Sequence, residues 1–177
     1  MHLSNFRTVK RVRDVVRIFA EVNREIPSVL VMIGDGPDRP AAEEEARMLG
    51  VADSVSFLGK LDRIAPLLAA ADLFLLPSQS ESFGLSALEA LASGVPVIGT
   101  NAGGLPEVVR NGETGVLCRV GDIPGMAAAS LEILQDPKRW SEMSKLAAAD
   151  ARERFSRDAI VSKYESLYRT SLPAKKT

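Results

Sequence analysis

Short apolar runs rich in β-branched residues alternate along this chain with segments of helical periodicity, and this alternation limits the possible folds more than any other feature. The runs fall at residues 29–34, 54–59, 71–77, 95–100 and 114–118, with the remnant of a further strand in the opening six residues. The predicted helices cover about 12–22, 38–49, 61–70, 84–93, 123–134, 137–154 and 156–168, with a short one that starts at Pro106 and Glu107. Strands that alternate with helices form parallel sheets, so the pattern predicts an α/β fold, a Rossmann-like doubly wound parallel sheet.

The overall composition favours one globular domain and excludes several functional classes. With 177 residues and 46% hydrophobic content, the chain can bury one core, which we assign to residues 1–170, with 171–177 as a frayed tail. A net charge of −1 gives no basis for a nucleic-acid partner held by charge. The single Cys118, the lack of a signal-peptide pattern and the lack of a membrane-spanning apolar run predict a cytoplasmic protein.

Ligands of doubly wound sheets bind at the carboxyl ends of the strands, so the loops after the apolar runs are the candidate sites. The first of these loops, SNFRTVKR, carries Arg7 and Lys10, two cations that could hold a diphosphate. The alternative is a solvated basic face, because the run continues through Arg11, Arg13 and Arg17. On spacing alone, the solvated face is the better interpretation.

Two further loops could bring backbone close to a ligand. GDGPDRP contains Gly34 and Gly36, which permit close approach but also suit a tight turn. Arg39 stands where a dinucleotide-binding fingerprint would have its third glycine, which disfavours a dehydrogenase. The LGKLD loop, with Gly59 and Lys60, could lay backbone amides against a flat base or form a plain turn.

Two carboxylates lie around the start of the helix predicted at 84–93. Glu81 precedes Gly84, where free helix N–H groups attract phosphate and a carboxylate can accept hydrogen bonds from sugar hydroxyls. Glu89 falls inside the helix at the edge of its sheet-facing side, where ribose hydroxyls would satisfy its carboxylate. That side is assigned to Leu88, Leu91 and Ala92. If Glu81 is only a cap or surface residue and Glu89 is solvated, neither has a function, but their placement around a Phe-Gly turn favours a site.

The remaining features carry a weaker functional signal or none. The glycine-rich loop at 99–109 could present amides to a sugar or phosphate, or form a structural turn. Glu43, Glu44 and Glu45 are expected on a solvated helix face, and His2, the only histidine, is expected to have no role. His, Cys and carboxylates do not occur at metal-ligand spacing, and neither a nucleophile elbow nor a Ser-His-Asp set is present, so we expect no metal or other cofactor.

Taken together, the motifs resemble the C-terminal half of GT-B glycosyltransferases of family 4, the retaining nucleotide-sugar transferases. The shared segments follow the family's order over almost the whole chain: GDGP, FLG, ESFGLSALEALASGVPVI, GGLPEVV and NGETGVL. SNFRTVKR and GTNAGG narrow the resemblance to members that join N-acetylglucosamine from UDP-N-acetylglucosamine to L-malate. The resemblance implies the second, donor-binding domain of a GT-B fold, with a UDP-sugar as substrate and the N-terminal acceptor domain absent from this sequence.

The resemblance also implies roles for individual residues. Catalytic roles fall to Glu81, which would contact donor-sugar hydroxyls, and to Arg7 and Lys10, which would neutralise the leaving diphosphate. Lys10 matches the family's lysine, whereas Asn5 occupies the usual place of its arginine, so Arg7 is a substitute. The second carboxylate of the motif would hold the ribose. The residues implied in donor binding are Asn5, Gly34, Gly36, Gly59, Lys60, Phe83, Gly84, Leu85, Ser86 and Glu89.

The implied mechanism is a same-face reaction in which the leaving phosphate takes the acceptor proton, since no protein base is evident in the sequence. Without an acceptor domain, the chain is expected to have very low activity. Three alternatives remain open: a nucleotide-sugar-binding module without catalysis, a GT-B epimerase acting on UDP-N-acetylglucosamine, and a structural or docking role. The epimerase would need acid and base residues of its own, and the docking role predicts no nucleotide binding.

Overall fold

The computed structural model describes residues 1–171, which form six strands and eight α-helices. The strands are β1 (His2–Leu3), β2 (Leu30–Ile33), β3 (Val55–Gly59), β4 (Phe74–Leu76), β5 (Val97–Thr100) and β6 (Gly115–Cys118). The helices are α1 (Val12–Glu25), α2 (Arg39–Met48), α3 (Ala65–Ala69), α4 (Leu85–Ala92), α5 (Leu105–Val108), α6 (Ile123–Leu134), α7 (Pro137–Phe155) and α8 (Arg157–Ser171). Of the predicted frayed tail, Ser171 ends α8, and residues 172–177 lie outside the described part.

The strands form one doubly wound parallel arrangement, as predicted. Two parallel three-stranded sheets have the orders β1-β2-β3 and β4-β5-β6. Met1 joins them, because its amine donates to the Leu73 carbonyl (2.8 Å) and its carbonyl accepts from the Leu75 N–H (2.9 Å). The combined order is 3-2-1-4-5-6, which places the topological switch point between β1 and β4.

Helices cover both faces of the strands and divide the buried residues into two clusters. On one face α1 packs against α2 and α6, and on the other α4 packs against α3, α5 and α7. The apolar stripe predicted for α1 is confirmed as buried: Val12, Val15, Val16, Phe19 and Val22. α8 contacts α7 and buries none of its own residues.

Two elements differ from the sequence prediction. The helix expected at 61–70 spans only Ala65–Ala69, because an earlier start would place Pro66 in the helix interior, where it lacks a donor and clashes with the preceding turn. The run at 54–59 was expected to be buried like the others. It forms the edge strand β3 instead, and its alternate residues Ser56 and Leu58 are exposed.

The arginines at the start of α1 and along it are partly exposed, as a solvated basic face requires, and they also form ion pairs with buried carboxylates. Asp14 is buried and accepts from Arg11 Nε (2.6 Å) and from Arg17 Nη1 (3.3 Å). Glu45 was expected on a solvated face but is also buried, and it pairs with Arg13 and with Arg17 Nε (2.7 Å). Hydrogen bonds from Arg17 hold the pKa of Glu45 below its ordinary value. The two Glu45 pairs tie α1 to α2, whereas the Asp14 pairs are local to the start of α1.

Candidate functional site

The loops that follow β1 and β4 meet at the carboxyl ends of the two central strands. The Gln79 N–H donates to the Val9 carbonyl (2.7 Å), which links the two loops through their backbones. Lys10 Nζ lies 2.7 Å and 2.8 Å from the two carboxylate oxygens of Glu81. The structure therefore brings together two of the three residues that the resemblance assigned to catalysis, although they are 71 positions apart in the chain.

The Lys10–Glu81 pair is largely shielded from solvent, since the lysine side chain is 19% exposed and the glutamate side chain 8%. Both carboxylate oxygens accept from the same ammonium group, so an incoming anion would compete with the carboxylate for that ammonium. A ligand that combines a phosphate with neighbouring hydroxyls would satisfy both partners once they separate, because the carboxylate accepts and the ammonium donates.

The backbone beside Lys10 has an unusual conformation. Lys10 ends a 3-10 turn, Thr8–Lys10, and the next residue, Arg11, has φ 50° and ψ 45°. Among the described residues, Arg11 is the only non-glycine with positive φ, a left-handed conformation that is uncommon for a side chain of this kind. Its guanidinium bonds to Asp14, which anchors the turn to α1. Nothing in the residue type at this position predicts the conformation.

The other predicted residues of the first loop are accessible but make no comparable contacts. Arg7 and Asn5 are both exposed. Within residues 1–171, neither side chain forms a hydrogen bond or ion pair with another side chain. Arg7 lies immediately before the 3-10 turn that leads to Lys10, so it borders the pair without taking part in it.

The glycines of the GDGP loop are explained by the packing of two loops against each other. A Cβ at Gly34 would lie 1.8 Å from the Ser4 carbonyl oxygen, and one at Gly36 would lie 2.5 Å from that of Phe6. The Phe6 N–H donates to the Asp35 carbonyl (3.0 Å). These contacts support the interpretation as a tight turn, and a direct contact of either glycine with a donor stays a prediction.

The loop after β3 lies beside the GDGP loop, residues 34–37. The Gly59 carbonyl accepts from the Gly34 N–H (2.8 Å), and Gly59 itself has φ +70°. Lys60, the first residue after β3, is exposed. The three loops that follow β1, β2 and β3 therefore form one surface at the carboxyl end of the sheet.

The Phe-Gly turn opens α4 and presents apolar side chains to solvent. Gly84 caps the helix with φ 95° and ψ 47°, a conformation that favours glycine. Phe83 is 38% exposed and Leu85 63% exposed, and Ser86 is partly exposed. The Phe83 ring packs edge-on against Phe155 of α7, with 5.7 Å between the ring centroids. The free backbone N–H groups of the first helical turn thus lie beside exposed apolar surface.

The glycine-rich loop after β5 supports the Glu81 loop from behind, a role that the sequence reasoning left undecided. The Gly104 N–H donates to the Glu81 carbonyl (2.7 Å). A Cβ at Gly103 would lie 2.2 Å from that same carbonyl oxygen, and one at Gly104 would lie 2.4 Å from the Ser82 carbonyl oxygen. The signal was present as consecutive glycines, but their partner became visible only in the folded structure.

Glu89 is partly exposed and borders a groove between α4 and α7, which Leu88 and Arg152 also line. Among the described residues, its carboxylate has no hydrogen-bond or ion-pair partner, and burial raises its pKa. It lies at the edge of the sheet-facing side, as predicted, but the composition of that side was partly wrong. Ala92 is exposed, and the buried residues are Ala87, Ala90 and Leu91, which share one side of a helix with 3.6 residues per turn.

His2 has a structural role that its position near the start of the chain did not suggest. The side chain is buried, its Nδ1–H donates to the Leu75 carbonyl (2.8 Å), and its Nε2 accepts from the Ser4 hydroxyl (2.7 Å). Burial lowers its pKa to about 4, so the ring is neutral at pH 7. Because both ring nitrogens are engaged, His2 is unsuited to act as a base.

Neither a metal-binding cluster nor a membrane-spanning helix occurs in the described part of the chain. Among residues 1–171, His, Cys, Asp and Glu side chains do not gather in groups of three or more that could hold a metal ion. Within the same range, every helix is too short or too polar to cross a bilayer.

The fold and the loop constellation are those of a GT-B glycosyltransferase domain, and solved structures agree. The Anabaena protein HepE in complex with UDP matches with a TM-score of 0.87 and 25% identity, over 96% of this chain and 48% of that one. Sucrose-phosphate synthase from Thermosynechococcus elongatus matches with a TM-score of 0.84 and 31% identity, over 96% of this chain and 44% of that one.

The profile of the glycosyl transferases group 1 family matches residues 1–152, and the chain belongs to this family. It is 47% identical to the N-acetyl-alpha-D-glucosaminyl L-malate synthase of Bacillus anthracis, over 95% of this chain and 44% of that protein. It is 36% identical to a glycogen synthase of Mycobacterium tuberculosis, over 93% of this chain and 38% of that protein. The chain therefore spans less than half the length of these curated relatives.

Proposed function

We propose that this domain binds UDP-N-acetylglucosamine and that the whole enzyme transfers the sugar, with retention of configuration, to L-malate. The observation that carries the proposal is the Lys10–Glu81 pair at the switch point of the sheet, beside the glycine-capped start of α4. The choice of sugar and acceptor is supported by the 47% identical relative, which is named for that product. The UDP complex of HepE supports the choice of nucleotide.

In this proposal, protein groups stabilise the charge of the departing diphosphate. Lys10 would turn from Glu81 to the phosphate, Arg7 would add a second cation from the rim, and the N–H groups at the start of α4 would face the same charge. Fixed cations and dipoles of this kind lower the barrier because they are already oriented when the bond breaks. We therefore propose a reaction without a metal cofactor.

The two carboxylates would orient the donor. Once released by Lys10, Glu81 would accept hydrogen bonds from sugar hydroxyls, and ribose hydroxyls would satisfy Glu89, whose carboxylate lacks a partner among the described residues. The acceptor proton would pass to the leaving phosphate on the same face of the sugar. The engagement of both His2 nitrogens supports this route, because the only histidine is not free to take that proton.

We propose that the acceptor site of the whole enzyme lies mostly outside this domain. The curated relatives are more than twice as long as the segment they share with this chain, which supports an N-terminal acceptor domain preceding it in the whole enzyme. We propose that this chain alone transfers sugar very slowly, since it lacks the groups that position the acceptor. The single cysteine favours a reducing compartment, and we propose a cytoplasmic enzyme.

Calorimetric titration of the chain with UDP, ADP, GDP and UDP-N-acetylglucosamine tests the donor site. We expect binding that is selective for the uridine nucleotides and is weakened about tenfold or more by Glu89→Ala, a loss of about 1.4 kcal/mol. Glu142→Ala is the matched control, because Glu142 is an exposed helix glutamate without an ion pair among the described residues. Equal binding of all three nucleoside diphosphates, or an unchanged affinity in Glu89→Ala, would contradict the proposed site.

The second candidate is a nucleotide-sugar-binding module without catalysis, which would use the same Lys10–Glu81 pair and the same unpartnered Glu89 to hold the donor. The two candidates differ in the whole protein. The transferase predicts formation of an N-acetylglucosaminyl malate product once the acceptor domain is supplied, whereas the binding module predicts UDP-sugar binding and no product.

A further inference from the structure

The last turn of α7 is connected to the Glu81 loop, residues 81–84, through the short helix α5. Arg154 of α7 donates from Nη2 to the Glu107 carbonyl and from Nη1 to the Val108 carbonyl (3.5 Å). Carbonyl groups in the last turn of a helix have no partners within it, so basic side chains from elsewhere can satisfy them. Arg154 therefore caps α5 at its carboxyl end.

The other end of α5 lies against the Glu81 loop. The Gly104 N–H, immediately before α5, donates to the Glu81 carbonyl (2.7 Å). Leu105, the first residue of α5, is fully buried, and its Cδ1 lies 2.9 Å from the position that a Cβ at Gly84 would take. A helix of four residues is only about 6 Å long. The contacts of Arg154 at one end of α5 are thus a single helical turn away from the backbone that carries Glu81.

The residue after Arg154 contacts the same loop directly. The ring of Phe155 packs edge-on against Phe83, with 5.7 Å between the centroids. The guanidinium carbon of Arg154 lies 4.6 Å from the centroid of the Phe155 ring, a distance at which a cation is attracted to an aromatic face. Two consecutive residues of α7 therefore support the loop, one through α5 and the other through Phe83.

A buried carboxylate orients Arg154. Asp150 is one turn earlier in α7, and its Oδ2 accepts from Arg154 Nη1 (2.7 Å). Its Oδ1 lies 2.8 Å from Arg110 Nε. Because each arginine pairs with a different oxygen, replacement of either one leaves the buried carboxylate with an ion-pair partner.

We propose that Arg154 and Phe155 are positioning residues for the donor sugar, and that Asp150 holds Arg154 in its place. The inference rests on the proposed function, in which Glu81 binds sugar hydroxyls. Arg154 and Phe155 act through the loop that carries Glu81, so their loss should weaken the contact with the sugar. UDP without its sugar relies on Lys10, which lies outside this loop, and should be affected less.

The test compares two variants that each remove one ion pair of Asp150. Arg154→Met also removes the cap of α5, whereas its matched control Arg110→Met leaves that cap in place. Hydrogen exchange of the Gly104 amide measures the support of the loop without any nucleotide, and calorimetry gives the affinities for UDP-N-acetylglucosamine and UDP.

We expect Arg154→Met to lower the protection of the Gly104 amide about tenfold, because the loop opens locally more often. Its affinity for UDP-N-acetylglucosamine relative to UDP should fall about fivefold, the equivalent of one net hydrogen bond. Arg110→Met should leave both quantities unchanged. Phe155→Leu should lower the affinity ratio and leave the Gly104 amide protected. If Arg154→Met does not fold, Arg154→Lys replaces it, with smaller changes expected in the same direction because a lysine lacks the planar fork.

Equal effects of Arg154→Met and Arg110→Met would overturn the proposal, since a purely structural ion pair would explain both. Unchanged protection of the Gly104 amide in Arg154→Met would also overturn it, as would lost protection with an unchanged affinity ratio. If the parent chain binds no UDP-sugar, the proposed function itself is contradicted, and the Gly104 amide still shows whether Arg154 supports the loop.

Discussion

Replacing Glu81 with glutamine is expected to strengthen the binding of UDP, the opposite of what loss of a ligand contact would do. Lys10 gives two hydrogen bonds to this carboxylate, at 2.7 Å and 2.8 Å. A diphosphate must therefore displace the carboxylate before it can use the ammonium. Glu81→Gln keeps the shape and one acceptor oxygen but removes the charge that holds Lys10 and repels the phosphate.

The size of the effect follows from the exposure of the pair. Two unit charges about 4 Å apart interact with about 4 kcal/mol in an environment of effective dielectric constant near 20, and with about 1 kcal/mol in water. The Lys10 side chain is 19% exposed, so water screens the pair in part, and we take about 1 kcal/mol as the competition that UDP faces. That value corresponds to UDP binding about fivefold more tightly in Glu81→Gln.

A comparison of UDP with UDP-N-acetylglucosamine distinguishes the two roles assigned to Glu81, which are to hold Lys10 and to bind the sugar hydroxyls. UDP-N-acetylglucosamine should lose its sugar contact in Glu81→Gln, so its affinity relative to UDP should fall about tenfold. Titration calorimetry at low and high salt measures both ligands, and the gain for UDP should shrink at high salt. Glu44→Gln is the control, because it breaks the exposed Arg47–Glu44 pair at a distance from the site. An unchanged or weaker affinity for UDP in Glu81→Gln would refute the competition between carboxylate and phosphate.

Three further predictions concern His2, Glu89 and the loop behind Glu81. The unfolded chain binds more protons than the folded chain between about pH 4 and 6.5, because burial lowers the pKa of His2 to about 4. As the pH falls through this window, the free energy of unfolding of the parent chain, measured by urea titration, should decrease by about 3 kcal/mol. In His2→Asn this decrease should be much smaller. Glu89→Gln should raise the melting temperature at pH 7 by about 1–2 °C while weakening UDP binding, because burial raises the pKa of this unpartnered carboxyl. In scanning calorimetry this gain in melting temperature should vanish below about pH 4, where the carboxyl is protonated in both the folded and the unfolded chain. A lower melting temperature of the variant at pH 7 would contradict the prediction. Gly103→Ala should lower the melting temperature by about 5–10 °C and weaken UDP-N-acetylglucosamine binding, since its Cβ would meet the Glu81 carbonyl oxygen at 2.2 Å. Gly112→Ala is the control for backbone strain alone, because Gly112 has φ +83° but open space around it. Equal losses of melting temperature in the two variants would contradict the steric argument.

Local sequence pattern was sufficient to predict the α/β class, the doubly wound sheet and the buried stripe of α1. Apolar periodicity and glycine or proline at element ends are short-range signals, and parallel strands joined by helices leave few topologies. The same signals pointed to the loops at the carboxyl ends of the strands as the candidate site. They misjudged the length of α3, where Pro66 had to lie in the first turn, and the exposure of β3, which depends on its place at the sheet edge.

Contacts between residues distant in the chain were decided only by the tertiary structure. Lys10 and Glu81 meet because the loops after β1 and β4 are adjacent at the switch point, and no local pattern encodes the distance between their side chains. The burial of Glu45 against the arginines of α1 is of the same kind, since a carboxylate on α2 is predicted as solvated until its partners on another helix are known. Residue type alone thus set which elements form, whereas the free energy of pairing and burial between elements set which of those residues make up the site.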